Sequence, residues 1–110
     1  MFAEVKDTLP ISGDDYDGQI IREIKACALD LTTSAEIELP GTIDITISSQ
    51  GVITDNSTLT DELIITAIAT WCNMRIGNPP NYDKLLAAYN SLKGQLRLSK
   101  TYTTSEVTTE

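Results

Sequence analysis

Carboxylates are the only acid–base groups that this chain of 110 residues carries in quantity, with sixteen Asp and Glu and no histidine. Without imidazole it lacks the commonest general base, the commonest zinc ligand and every Ser-His or Cys-His nucleophile pair. Chemistry through Asp, Glu and Mg²⁺ stays open. The run Asp14-Asp15-x-Asp17-Gly18 shares part of a calcium-loop signature. Counted from Asp15, however, Ile20 and Ala26 stand where such a loop needs Gly and a bidentate Glu. These acids read better as helix-capping groups. Glu36 and Glu38 fall on the polar side of a predicted strand, where solvation explains them without catalysis. Ser12-Gly13 and Gly94-Gln95 lack the glycine cluster and following Lys-Ser or Lys-Thr of a phosphate loop. Trp71, Tyr82 and Tyr89 lie within helical stripes and read as core or interface rather than as a stacking platform. Cys27 and Cys72 sit in apolar helical patterns and read as buried free thiols rather than a disulfide. No catalytic, cofactor-binding or metal-binding residue is assigned, and no cofactor is expected.

The periodicity of apolar residues supplies the elements around these groups. Phe2, Val5 and Leu9 predict a short helix over 2–9, broken by Pro10 and Gly13. Ser12, Asp14 and Asp15 offer N-caps to a helix over 15–31, whose stripe is Ile20, Ile21, Ile24, Cys27, Ala28 and Leu31. Between 35 and 53 the period changes to two. Ile37 and Leu39 alternate with Glu36 and Glu38, Pro40-Gly41 marks a turn, and Ile43, Ile45 and Ile47 alternate with polar residues. A β-hairpin is expected there, its isoleucine face packed on its own helices or on a neighbouring subunit. Thr58-x-x-Asp61 resembles a capping box and opens a helix over 59–76, apolar around more than half its circumference. Gly77-Asn78-Pro79-Pro80 stops it. Tyr82, Leu85, Leu86, Tyr89, Leu92 and Leu96 then predict a helix over 81–97, antiparallel to the one before. The fold class is mainly α: three main helices, a short N-terminal helix, a β-hairpin insertion at about 35–53 and an extended C-terminal tail. Residues 1–100 form one domain and 101–110 a flexible tail rich in threonine.

The net charge of −8 is unevenly placed. Residues 1–66 hold thirteen acids against Lys6, Arg22 and Lys25, a balance of −10, whereas residues 67–100 hold five bases against Asp83, a balance of +4. Complementary edges of neighbouring subunits would use such a split, although an ordinary solvated surface also explains it. A chain this acidic is poorly suited to gripping nucleic acid. No apolar run approaches the roughly 20 residues needed to span a bilayer. The N-terminal residues do not read as a signal peptide, so a soluble protein of a reducing compartment is expected.

Two stretches are more specific than composition. One is Val5-Lys6-x-x-Leu9-x-Ile11, followed by Asp14-Asp15-Tyr16-Asp17 and the helix Ile20-Ile21-x-x-Ile24-x-Ala26. The other runs Leu63-Ile64-x-x-Ala67-Ile68-x-Thr70-Trp71, Arg75-Ile76-Gly77-Asn78-Pro79, Tyr82-Asp83-Lys84-Leu85 and Ala88-Tyr89-x-x-Leu92-Lys93-x-x-Leu96. Together they resemble the head–tail connector (adaptor) family of phages and prophages, over about two-thirds of the chain. The segment 32–58 departs from that pattern, being longer and more strand-like than the loop of compact members. The resemblance implies a non-enzymatic virion protein, made in the bacterial host cytoplasm and located at the neck. Its subunits would form a homo-oligomeric ring, twelve-fold on the portal, that extends the DNA channel and meets a neck or tail completion protein. DNA would pass through without specific binding. The segment after about Ser99 would reach the portal, with Leu98, Tyr102 and Val107 as its anchors. Ile43, Ile45, Ile47, Lys84, Lys93 and Arg97 are the candidate subunit-interface residues. The rival expectations are a small accessory or regulatory subunit of an enzyme, and a carboxylate-and-metal catalytic domain resting on Glu36 or Asp44.

Overall fold

The computed structural model describes residues 1–11, 13–76 and 80–98. It is mainly helical, with α1 (Phe2–Asp7), α2 (Asp17–Thr33), β1 (Ile45–Ile47), β2 (Ile53–Asp55), α3 (Glu62–Arg75) and α4 (Tyr82–Leu98) in chain order. The stripe Ile20, Ile21, Ile24, Cys27 and Leu31 buries one side of α2, leaving Arg22, Lys25 and Ala26 exposed. α3 is the most enclosed element: Ile64, Ala67, Ile68, Ala69, Cys72 and Met74 are buried, and it packs against α1, α2 and α4. α4 closes the bundle with Tyr89 and Leu96. At one end Asn73 Nδ2 donates to Thr8 Oγ1 at 3.0 Å, while Thr8 Oγ1 donates to the Val5 carbonyl at 2.7 Å, fastening the C-terminus of α1 to α3.

Two helix starts differ from the sequence reading. Tyr16, not Ser12, Asp14 or Asp15, is the N-cap of α2, and it makes no side-chain capping bond; Ser12 lies outside the described residues. Asp61 itself caps α3, its Oδ1 accepting from the Ile64 N–H at 3.1 Å. Thr58 is drawn elsewhere: its hydroxyl accepts from the Thr42 N–H at 2.8 Å, and its own N–H donates to the Thr42 carbonyl at 3.0 Å.

That diversion also moves the hairpin. The expected turn at Pro40-Gly41 does not form a ladder between 36–39 and 43–47. Instead β1 pairs antiparallel with β2, Ile45 opposite Asp55, Thr46 opposite Thr54 and Ile47 opposite Ile53. Glu36 adopts a left-handed backbone (φ 58°), which breaks the extended run just as it would begin. Gly41 lies against the segment entering α3: a Cβ there would stand 2.7 Å from the Leu59 Cα. The actual turn is Ser48–Gly51, where Gly51 takes φ +85° and donates to the Ser48 carbonyl at 2.9 Å. The burial half of the expectation holds: Ile37 is buried and Leu39 half-buried, while Glu36 and Glu38 are exposed.

Candidate functional site

The acidic run at 14–17 turns out to be an ion-pair joint. Asp17 is buried at the start of α2 and meets Lys6 Nζ at 2.7 Å, and Asp14 meets the same ammonium at 3.1 Å. Hydrogen bonds to Asp17 and then Asp14 raise the Lys6 pKa above its ordinary value. Glu36, Glu38 and Asp44 are all exposed and share no common centre. Among the described residues, no group of three or more His, Cys, Asp or Glu side chains is placed to hold a metal ion.

The densest polar cluster lies between α2, α3 and α4. Tyr89 Oη donates to Asp30 Oδ2 at 2.6 Å and accepts from the Cys27 thiol at 3.7 Å. Lys93 Nζ reaches Asp30 Oδ2 at 3.2 Å and Ser34 Oγ at 3.4 Å. Nearby, Trp71 Nε1 donates to Glu23 Oε1 at 2.9 Å, Arg75 approaches the same oxygen at 3.6 Å, and the Trp71 and Tyr89 rings meet edge to face at 5.2 Å. Burial, followed by the hydrogen bond to Asp30, raises the Tyr89 pKa far above the ordinary phenol value. Burial pushes the Cys27 thiol up to about 12, against a smaller opposing pull from Tyr89. Cys72 is raised further, by burial and then by Cys27. Both cysteines are free and buried, so neither presents a thiolate nucleophile at neutral pH. Asp30, Tyr89, Lys93, Glu23 and Trp71 all have internal partners. The cluster clamps three helices together.

The expected interface residues separate into three kinds. Ile45 is fully buried in its own core, where it packs toward α2, and is thereby removed from any subunit surface. Lys93 is engaged with Asp30 and Ser34, so its charge is used within the chain. Ile47 is 40% exposed at the hairpin end, Ile43 lines a surface groove, and Lys84 and Arg97 are exposed with no ion pair among the described residues. Leu98 ends α4 at 87% exposure; Tyr102 and Val107 lie outside the described residues. Two surface residues escaped the sequence reading. Leu29 is 62% exposed and Val52 60% exposed. Leu29 was visible as a leucine off the α2 stripe, and Val52 as a β-branched residue just past the turn glycine.

The groove occupies about 460 Å³ between two walls. Lys25, Ala28, Leu29 and Thr32 of α2 form one wall, and Leu39, Gly41, Thr42 and Ile43 form the other. No helix among the described residues is long and apolar enough to cross a membrane. Compared with known proteins, the chain matches no family model, no curated protein and no solved structure.

Proposed function

We propose that this chain is a structural assembly subunit of the head–tail connector type, forming a ring under a phage portal. The observation that carries the reading is that the two stretches bearing the resemblance, 5–26 and 63–96, fold on each other as one helical core: α1 and α2 both pack on α3, and α3 on α4. Surface chemistry supports an assembly role. Apolar Leu29, Ile47, Val52 and Leu98 remain outside, and Lys84 and Arg97 stand exposed on α4, without an ion pair among the described residues, in a chain that is strongly acidic. An acidic channel wall would repel the DNA backbone and let the genome slide. In this reading the ring extends the channel at the virion neck, touching the portal on one side and a neck or tail completion protein on the other. The test is light scattering and negative-stain imaging of the purified protein across a wide concentration range. Ring-shaped particles with a central channel are expected at high concentration, and a monomer at every concentration overturns the reading.

A further inference from the structure

The hairpin end is an uncharged blade that carries Ile47 and Val52 on its surface. From Ile45 to Thr54 the chain has no charged residue, although Asp44 and Asp55 flank the stretch. Opposed residues share a face, so Ile47 and Ile53 project on one side, and Val52 projects with Thr46 and Thr54 on the other. Ser48 organises the turn: its Oγ accepts from the Gln50 and Val52 N–H groups at 3.2 and 3.1 Å, and its N–H donates to the Val52 carbonyl at 2.9 Å.

The groove beside α2 has matching chemistry. Its two walls present Ala28 and Leu29 on one side and Leu39 and Ile43 on the other. The Thr32 hydroxyl is already spent on the Ala28 carbonyl at 3.0 Å. Lys25 stands at its edge, exposed and with no ion pair among the described residues. A second chain's Asp44, exposed on the Val52 face of the blade and likewise without an ion pair among the described residues, would complement it. Thr42 and Ile43 belong to the foot of the same hairpin, so no chain can fold its own tip back into its own groove. The occupant has to come from another molecule.

We infer that the hairpin tip of one copy, carrying Ile47 and Val52, inserts into the Leu29–Leu39–Ile43 groove of the next copy. Val52 meets the α2 wall and Ile47 the opposite wall. The two patches differ, so the contact is heterologous and propagates until rotation closes a ring. This inference rests on the ring reading above and supplies its contact.

The test uses full-length Val52→Asp and Leu29→Asp, two exposed positions, with helicity checked by circular dichroism. Each variant alone should stay monomeric by light scattering under conditions where the unaltered protein assembles. Mixed in equal amounts they should yield a two-subunit species and nothing larger, because one retains its groove and the other its blade. If either aspartate lowers helicity, Val52→Thr and Leu29→Gln repeat the experiment. Deleting residues 101–110 should leave assembly unchanged. Rings formed by both single variants, or a mixture that stays monomeric, overturn the blade-and-groove contact while leaving the ring reading in place. Assembly lost on deleting 101–110 also overturns it, by giving the groove to the C-terminal segment. An unaltered protein that never assembles removes both.

Discussion

Tyr89 Oη stands between a carboxylate and a thiol, 2.6 Å from Asp30 and 3.7 Å from Cys27, and this position fixes what substitution there should do. Tyr89→Phe keeps the ring against Trp71 but leaves the Cys27 thiol without its acceptor and Asp30 with Lys93 alone. A loss of about 1–3 kcal/mol is expected in chemical denaturation, in line with a buried hydrogen-bonding group losing its partner. The same cluster changes how charge reversal at α4 should be read. Lys93→Glu brings a second carboxylate to Asp30 and should destabilise the fold itself, whereas reversal at Lys84 or Arg97 should not. Asp55 gives a pH dependence. Burial alone would raise its pKa, but the hydrogen bonds from the Phe2 N–H and Ser57 outweigh this and hold it well below the usual carboxylate range. A depressed folded-state pKa contributes stability that is complete above the unfolded value, near 4, and is lost as pH falls toward the folded value. The stability gap between the unaltered protein and Asp55→Asn should thus hold constant at neutral pH and shrink below about pH 4. A gap that persists in acid would show that the carboxylate charge is not what ties β2 to α1.

At the scale of elements, glycines separate tight places from open ones. Gly41→Ala would drive a Cβ to 2.7 Å from the Leu59 Cα, against backbone that has no side chain to move aside. Gly51→Ala forces a side chain into φ +85° and should cost roughly 1–2 kcal/mol. Gly94 lies inside α4, where a Cβ would meet nothing within 4 Å, so Gly94→Ala should stabilise by about 0.5–1 kcal/mol. Thermal melts of the three variants check the ordering. These positions also show why the helices were legible and the hairpin was not. A helix declares itself through local period, and α2, α3 and α4 each followed their stripes to within a few residues. Pro40-Gly41 looks like a turn locally, but Gly41 is needed for a contact with Leu59, eighteen positions away, and the left-handed Glu36 has no sequence signature. Thr58 likewise fits a capping box until Thr42 claims its hydroxyl. The candidate site divides in the same way. The alternation of Ile43, Ile45 and Ile47 was legible, but which of the three stays outside depends on where α2 ends beneath them.

Across the whole molecule, burial refines where the core is most sensitive. Ile24 and Ile68 are fully buried, so Ile→Ala at either should cost roughly 2–5 kcal/mol, while Leu63 and Leu86 are only half-buried and should cost less. Near-neutral effects at Ile24 and Ile68 would mean that α2 and α3 do not form the centre of the bundle. The charge split acts at a larger scale. The balance of −10 over residues 1–66 against +4 over residues 67–100 leaves Lys84 and Arg97 as exposed cations facing outward from α4, because Lys93 is held by Asp30. If acidic and basic edges of neighbouring subunits meet in a ring, then Lys84→Glu with Arg97→Glu should weaken assembly while helicity and melting temperature stay unchanged. Added salt should weaken assembly of the unaltered protein in parallel, since exposed pairs are screened over roughly 10 Å at 0.1 M. The blade-and-groove contact is chiefly apolar and predicts the opposite response to salting-out ions such as sulfate, which strengthen apolar burial. Measuring assembly in chloride and in sulfate at matched ionic strength therefore separates the two contributions. Weakening in both salts assigns the ring to charge, and strengthening in sulfate alone assigns its main contact to Ile47, Val52 and Leu29.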